Sequence, residues 1–381
     1  MRRGRAQIDS LLRNGRVSPR RLDRFLAANE WPLVGEGGVI FGYRGEADTV
    51  LLQHWICGLP TSQSFCRLTG SDFWFLELEL PAESRIEYKI DVVRNGQNDW
   101  ILDPLNPRQA RDPFGANSVC YGPGYLRPDW TILDPDARPG SLATLELKSR
   151  ALERKCEIGV YVPARFRRRR RYPLLVVHDG TDYLRFAQLQ EVLDNLIHRL
   201  EIPPMIVAFT SSRDRLREYG AHSGHARFIC GELVPRMQQE FPLIDSPDSR
   251  GVLGASFGAV ASLHAAWSFP GVFGRVLIQS GSFAFTEIGP HGREAVFDPV
   301  VDFMNNFRAN PGQPAEKVFM SCGVYEPLIY ENRSLLPLLQ RTGVKVRYVE
   351  ARDGHNWENW RDRLRDGLSW SFRGPLWMVY E

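Results

Sequence analysis

The chain has 381 residues, 43% apolar and 24% charged, which excludes a disordered, collagen-like or highly charged coiled-coil protein. No run approaches the roughly 18 uninterrupted apolar residues of a membrane span, so no membrane partner is expected. The net charge of +3, from 48 basic and 45 acidic residues, is too small to argue for a nucleic-acid partner.

At roughly 100–200 residues per domain, this length predicts two domains. The first residues are Arg-rich and lack an apolar h-region, so no secretory signal is read there. Cys57, Cys66, Cys120, Cys156, Cys230 and Cys322 lie far apart, with no C-x-x-C pair. Neither a zinc site nor a disulfide framework is expected, and a cytoplasmic location is the simplest reading.

Residues 2–30 read as helical, with Ser18-Pro19 as N-cap and first-turn proline opening a helix over 20–29. Strands follow at 39–43, 50–56, 73–80 and 85–93; the last, RIEYKIDVV, alternates as a half-buried strand does. Asn95-Gly96 supplies a hairpin turn. Several short, turn-punctuated strands predict a β-sandwich within 1–135. Residues 136–141, in the Pro/Gly-containing stretch DPDARPGS, are expected to form a linker. From 142 to 381 strands alternate with helices. Strands are expected at 144–148, 156–162, 173–178, 205–209, 250–253, 275–279, 317–321 and 345–350, with a helix over 187–200. PLLVVH (173–178) is a continuous apolar strand of the kind buried on both faces. This grammar predicts a mostly parallel sheet covered by helices. The run 165–171 reads as a solvated arginine-rich loop between two strands.

Gly254-Ala255-Ser256-Phe257-Gly258 matches G-x-S-x-G between a strand and an alanine-rich helix. Small residues two positions either side of a serine let a strand-to-helix turn close and hold the hydroxyl clear. The Phe257 N–H then points where an oxyanion would form. Ser256 is the candidate nucleophile, and it needs a base. In the α/β-hydrolase chain order the base follows the serine, with the acid between them. His264 lies on the outgoing helix and His291 in a loop. His355, in Asp-Gly-His-Asn after the last strand, is the expected base. Glu326 follows the preceding strand and is the favoured acid. Asp353 is a rival, and a Ser–His dyad stays open. After PLLVVH comes His178-Asp179-Gly180-Thr181. The Thr181 N–H is the expected second oxyanion donor, with His178 and Asp179 shaping the loop.

The chain resembles the enterochelin (enterobactin) esterases, within the esterase D-like α/β-hydrolases. In the catalytic half the resemblance rests on HDG (178–180), GASFGA (254–259), IQSGSF (278–283), GVYEPLIYENRSL (323–335) and DGHNWENWR (353–361). In the N-terminal half it rests on GSDFW (70–74), DPLNP (103–107) and PGY (123–125), which resemble an early-set immunoglobulin-like domain. The resemblance implies an α/β-hydrolase preceded by an immunoglobulin-like β-sandwich. It implies hydrolysis of a catecholate siderophore trilactone for iron release, with Ser256 as nucleophile, His355 as base and Glu326 as acid. No metal or organic cofactor is needed for this chemistry.

A ferric tricatecholate is large, aromatic and trianionic, so its pocket should offer cations and aromatic rings. The candidates are Arg213, Arg215, Arg217, Arg333, Trp357 and Trp360. Residues 283–316 are long enough to form a flap over the serine. The alternatives are a feruloyl-type or general carboxylesterase, and a non-catalytic binding protein on a hydrolase scaffold.

Overall fold

Alternating and continuous apolar runs build two different kinds of sheet. The computed structural model describes residues 8–9, 12–13, 16–287 and 289–375, and the statements below concern these. Their contacts divide them into two units. One holds the described residues up to Arg127 together with Gly323–Glu326 and Ala351–Asn356; the other holds the remainder. The first stretch of the N-terminal unit ends at Arg127. The reason is local: Asn195 donates to the carbonyls of Trp130 and Ile132, and Asp194 accepts from the Gly140 N–H at 2.8 Å. Residues 128–141 are thereby bound to the helix Leu189–His198.

The N-terminal unit contains a six-stranded and a four-stranded antiparallel sheet. Arg85–Arg94 is the central strand of the larger sheet, and Gly38–Arg44 pairs with Phe73–Glu79 in the smaller. Thr49–His54 alternates half-buried and buried residues, as a strand with one solvated face should. Inward residues of both sheets, including Phe41, Leu52, Tyr88 and Ile90, share one core. The helix Pro19–Ala27 starts after Ser18 as expected, although the Ser18 carbonyl, not its hydroxyl, accepts at the cap. The expected helix does not extend back through 12–17. There Leu12–Arg13 pairs antiparallel with Arg16–Val17, while much of the rest of 2–15 lies outside the described residues.

The second unit is built on an eight-stranded mixed sheet. Its order is Ser141–Ser149, Arg154–Val162, Ile206–Phe209, Leu174–Val177, Arg250–Ala255, Arg275–Gln279, Lys317–Gly323, Lys345–Ala351. The first strand pairs antiparallel with the second, and the second with the third. Leu174–Val177 runs parallel to both its neighbours, and the parallel pairing continues through Lys317–Gly323. Every residue of Leu174–Val177, Ile206–Phe209, Arg250–Ala255 and Arg275–Gln279 is buried. Their side chains alternate between two cores. Leu174, Val176, Val252 and Val276 pack with the helix Phe257–Ser268; Leu175, Val177, Leu253 and Leu277 pack with Leu189–His198 and Leu364–Ser371. Parallel strands deliver their successors to one sheet edge, so His178–Thr181, Ser256 and Ser280–Ser282 all emerge together. No helix among the described residues is long and apolar enough to cross a membrane.

Candidate active site

Ser256 stands between the buried strand Arg250–Ala255 and the helix Phe257–Ser268, with φ 57° and ψ −121°. A non-glycine residue in that region costs of order 1–3 kcal/mol, and such strain clusters at functional sites. The flanking glycines are required by packing. A Cβ on Gly254 would stand 2.2 Å from the Gly258 carbonyl oxygen, and one on Gly258 would crowd His178 and Asp179 at 3.3–3.4 Å. The turn leaves Ser256 half-buried, at the head of a helix whose first amides point toward its hydroxyl end. Its N–H donates to the Gln279 carbonyl, and its Oγ lies 3.2 Å from Ser282 Oγ. Ser282 was legible only as part of IQSGSF, because nothing in its own spacing marks a hydroxyl that touches the nucleophile.

The loop after Leu174–Val177 is tied down on every side. Gly180 N–H donates to the Thr210 carbonyl, and a Cβ there would strike Phe209 at 2.3 Å. Asp182 and Tyr183 N–H both donate to the Asp179 carbonyl. Among the described residues this leaves the Thr181 N–H without a backbone acceptor. Arg215 links this loop to the elbow. Its Nε lies 3.0 and 2.9 Å from the two Asp179 oxygens, and its Nη2 donates to the Ala255 carbonyl at 3.3 Å. Asp179 N–H in turn donates to Tyr219 OH. His178 is fully buried, with Nδ1 3.0 Å from Ser262 Oγ and Nε2 3.0 Å from His225 Nε2. Burial pushes His178 down to about 4 and holds His225 well below its ordinary value, which favours the neutral form of both rings.

The remaining titratable groups sit in two loops. Glu326 Oε2 lies 2.6 Å from His355 Nδ1, while its Oε1 accepts from the Gly323 N–H at 2.6 Å. The carboxylate is wholly buried and the imidazole 35% exposed. A carboxylate at Nδ1 keeps the ring proton there and leaves Nε2 as a basic nitrogen. Asp353 is engaged elsewhere: one oxygen accepts from Arg85, the Gly354 N–H and Asn356. Burial pushes the Asp353 carboxyl up to about 6, with Arg85 opposing the shift.

Other sequence candidates fall in varied surroundings. His291 bonds Asp298 at 2.8 Å on the surface, and His264 is buried against Phe303, where burial pushes it down to about 4. Arg213 and Arg217 are exposed, and neither guanidinium has a partner among the described residues. Glu218 takes Arg154, at 2.9 and 2.7 Å, rather than the adjacent Arg217. Arg333 is spent on a bidentate pair with Glu350. Trp357, a candidate ring for the substrate, lies largely inside the fold. It is 8% exposed and packs against Tyr183, Phe186 and Trp360, because positions three apart put both tryptophans on the core face of one helix. In 283–316, the helix Asp298–Ala309 buries Phe303 and Phe307 in the core, while Phe297 packs against Phe257.

Comparison with known proteins finds esterases. The Esterase family model covers residues 149–371, more than half of the chain. The iron(III) enterobactin esterase of Escherichia coli O6:H1 is 26% identical over 335 residues, spanning 80% of this chain and 81% of that protein. The solved ferric enterobactin esterase from Salmonella typhimurium has a TM-score of 0.75 at 20% identity, over 92% of this chain and 98% of that one. The Shigella flexneri enterobactin esterase, solved in the presence of enterobactin, has a TM-score of 0.73 at 22% identity, over 97% of this chain and all of that one. These structural likenesses establish the fold, a mixed sheet with flanking helices. With the family model spanning the elbow and both loops that carry Glu326 and His355, this chain belongs to the Esterase family and is a carboxylic ester hydrolase.

Proposed function

We propose that this protein is a serine esterase that opens the ester bonds of a catecholate siderophore trilactone through an acyl-enzyme, releasing iron in the cytoplasm. Ser256 Oγ attacks the ester carbonyl, and His355 Nε2 takes its proton. Glu326 holds the Nδ1 proton and stabilises the imidazolium that forms. The Phe257 and Thr181 amides receive the oxyanion. His355 then protonates the leaving alcohol, and a water activated by the same nitrogen releases the acid. Exposed Arg213 and Arg217 supply cations for an anionic ferric catecholate. The N-terminal unit is read as an early-set immunoglobulin-like sandwich, a reading supported by its two antiparallel sheets over a shared core. The six unbridged cysteines support a reducing compartment.

The observation that carries the chemistry is the strained Ser256 at the head of a buried helix. For the substrate, it is the match to enterobactin esterases across both halves of the chain. Turnover of a p-nitrophenyl acyl ester should fall by about 10³-fold or more in Ser256→Ala. Equal rates in the two proteins would sink the nucleophile assignment. Time-resolved mass spectrometry of a synthetic catecholate trilactone should show stepwise ring opening. An intact trilactone beside rapid cleavage of simple or feruloyl esters would transfer the assignment to the general carboxylesterase reading.

A further inference from the structure

The arginine run singled out in the sequence has no part in ester hydrolysis, yet it borders a cavity. A pocket of about 350 Å³ lies among Arg138, Arg165, Arg170 and His198, floored by Tyr161 and Tyr172. It is remote from Ser256. Tyr172 lies two residues before the strand Leu174–Val177, whose first residue pairs with Arg250. Ser256 follows the other end of Arg250–Ala255, about 16 Å away at ~3.3 Å per residue. The pocket therefore opens at the amino edge of the sheet and the nucleophile at the carboxyl edge.

The charges around the pocket are unbalanced. Among the described residues, the guanidinium groups of Arg138 and Arg165 have no hydrogen-bond or ion-pair partner, and Arg170 rests only over the Tyr172 ring. Two carboxylates are present. Asp194 is buried and accepts from Tyr161 OH at 2.7 Å and Gly140 N–H at 2.8 Å, so it is already occupied. Asp136 is the single exposed acid. Three guanidiniums facing one exposed carboxylate leave a cationic cavity, and Arg167–Arg169 and Arg171 deepen its potential. Arg165 also adopts φ 58°, an uncommon backbone for a non-glycine residue, at the start of the loop that brings these side chains round. The floor selects against a stacked base. Phe166 stacks on Tyr172 at 5.2 Å and Arg170 lies over its ring, while Tyr161 OH is tied to Asp194. A compact, multiply charged group fits such a cavity better than a flat ring does.

We infer that this pocket binds a small, multiply charged oxyanion of the pyrophosphate type, held by the guanidinium forks of Arg138, Arg165 and Arg170. Planar guanidiniums match tetrahedral oxyanions with paired, charge-assisted hydrogen bonds. The site is independent of the esterase reading.

Calorimetry with inorganic pyrophosphate at fixed ionic strength tests it, using the full chain. Saturable binding of one equivalent is expected. It should weaken by about tenfold or more in Arg165→Ala/Arg170→Ala, as loss of charge-assisted bonds implies. Binding should persist in Ser256→Ala and in Arg168→Ala/Arg169→Ala, which lie outside the pocket. Hydrolysis of a p-nitrophenyl ester by the Arg165→Ala/Arg170→Ala protein reports that it is folded. Vesicles containing phosphatidic acid form a second arm. Binding to vesicles without binding of free pyrophosphate would overturn the inference in favour of a lipid surface. Equal weakening in the Arg168→Ala/Arg169→Ala protein, or no saturable binding at millimolar pyrophosphate, would reduce the loop to a diffuse basic surface.

Discussion

In the N-terminal unit Arg85 is wholly buried against Glu87, Asp353 and Asn356, and Tyr88 donates to Asp103 at 2.6 Å inside the core. In the catalytic unit three buried histidines gather at the helix Phe257–Ser268: His178 and His225 beside it and His264 on it. The Arg85 network buries ions and saturates them with partners, whereas the histidine cluster buries bases that desolvation holds below their ordinary range. A saturated ion network fixes position at the cost of fragility, since losing one partner strands the other charge. Neutral buried bases pack quietly but make stability depend on pH.

Substitutions at Arg85, Leu175, Trp100, Arg215 and His264 would break or sharpen that contrast. The largest effect is expected for Arg85→Met, which strands Asp353 two residues before His355. Urea unfolding should show a loss of roughly 3–5 kcal/mol, and adding Asp353→Asn should recover part of it. An unchanged midpoint would mean that the network contributes little. Leu175→Ala, in a strand buried on both faces, should cost about 2–5 kcal/mol. Trp100→Ala, on the exposed strand Gln97–Ile101, should move the same midpoint by less than about 0.5 kcal/mol. Comparable losses for these two would erase the distinction between the sheets.

Arg215→Ala removes the link from Asp179 to the Ala255 carbonyl. We expect kcat for ester hydrolysis to fall about 10- to 100-fold with KM nearly unchanged, because the loop carrying Thr181 loses its register with the elbow. A rise in KM alone would make Arg215 a substrate contact, as its sequence position suggested. His264 contributes a pH dependence of stability. Its ordinary value near 6.5 is pushed down to about 4 by burial. Between these values the unfolded chain takes up a proton that the folded chain refuses, so this contribution to stability is lost as pH falls. Asp353 and Asp103, both pushed up to about 6, act in the opposite sense. His264→Phe isolates the histidine: from pH 7 to 4.5 the variant should lose roughly 2–3 kcal/mol less than the wild type. Parallel pH curves would show that this ring is not titrating.

Much of the catalytic unit was legible because its signals are local. The strand at 173–178 was readable from its continuous apolar character, and the elbow from glycines that any tight strand-to-helix turn demands. The N-terminal arm was less legible. The 12–17 segment carries helix-compatible residues, yet its backbone pairs in a short antiparallel ladder. The spacing of Trp357 and Trp360 is ambiguous in the sequence, because an aromatic pair three residues apart looks the same whether it lines a pocket or fills a core. Arg215, Arg213 and Arg217 are equivalent on paper, since alternate arginines in a loop give no hint which one will meet a carboxylate.

By itself the chain determined the order of its elements, the strained serine and the identities of the groups that chemistry would require, because turn sterics and hydrophobic periodicity act over a few residues. Which carboxylate meets His355, which arginine is spent on Asp179 and which cations remain open depended on the tertiary structure. Glu326 and His355 are separated by 29 positions and Arg85 and Asp353 by 268, and each pair meets at hydrogen-bonding distance only once the chain is packed. Ionic pairing decays over a few ångströms, so it is settled by where side chains end up, not by how far apart they are spelled.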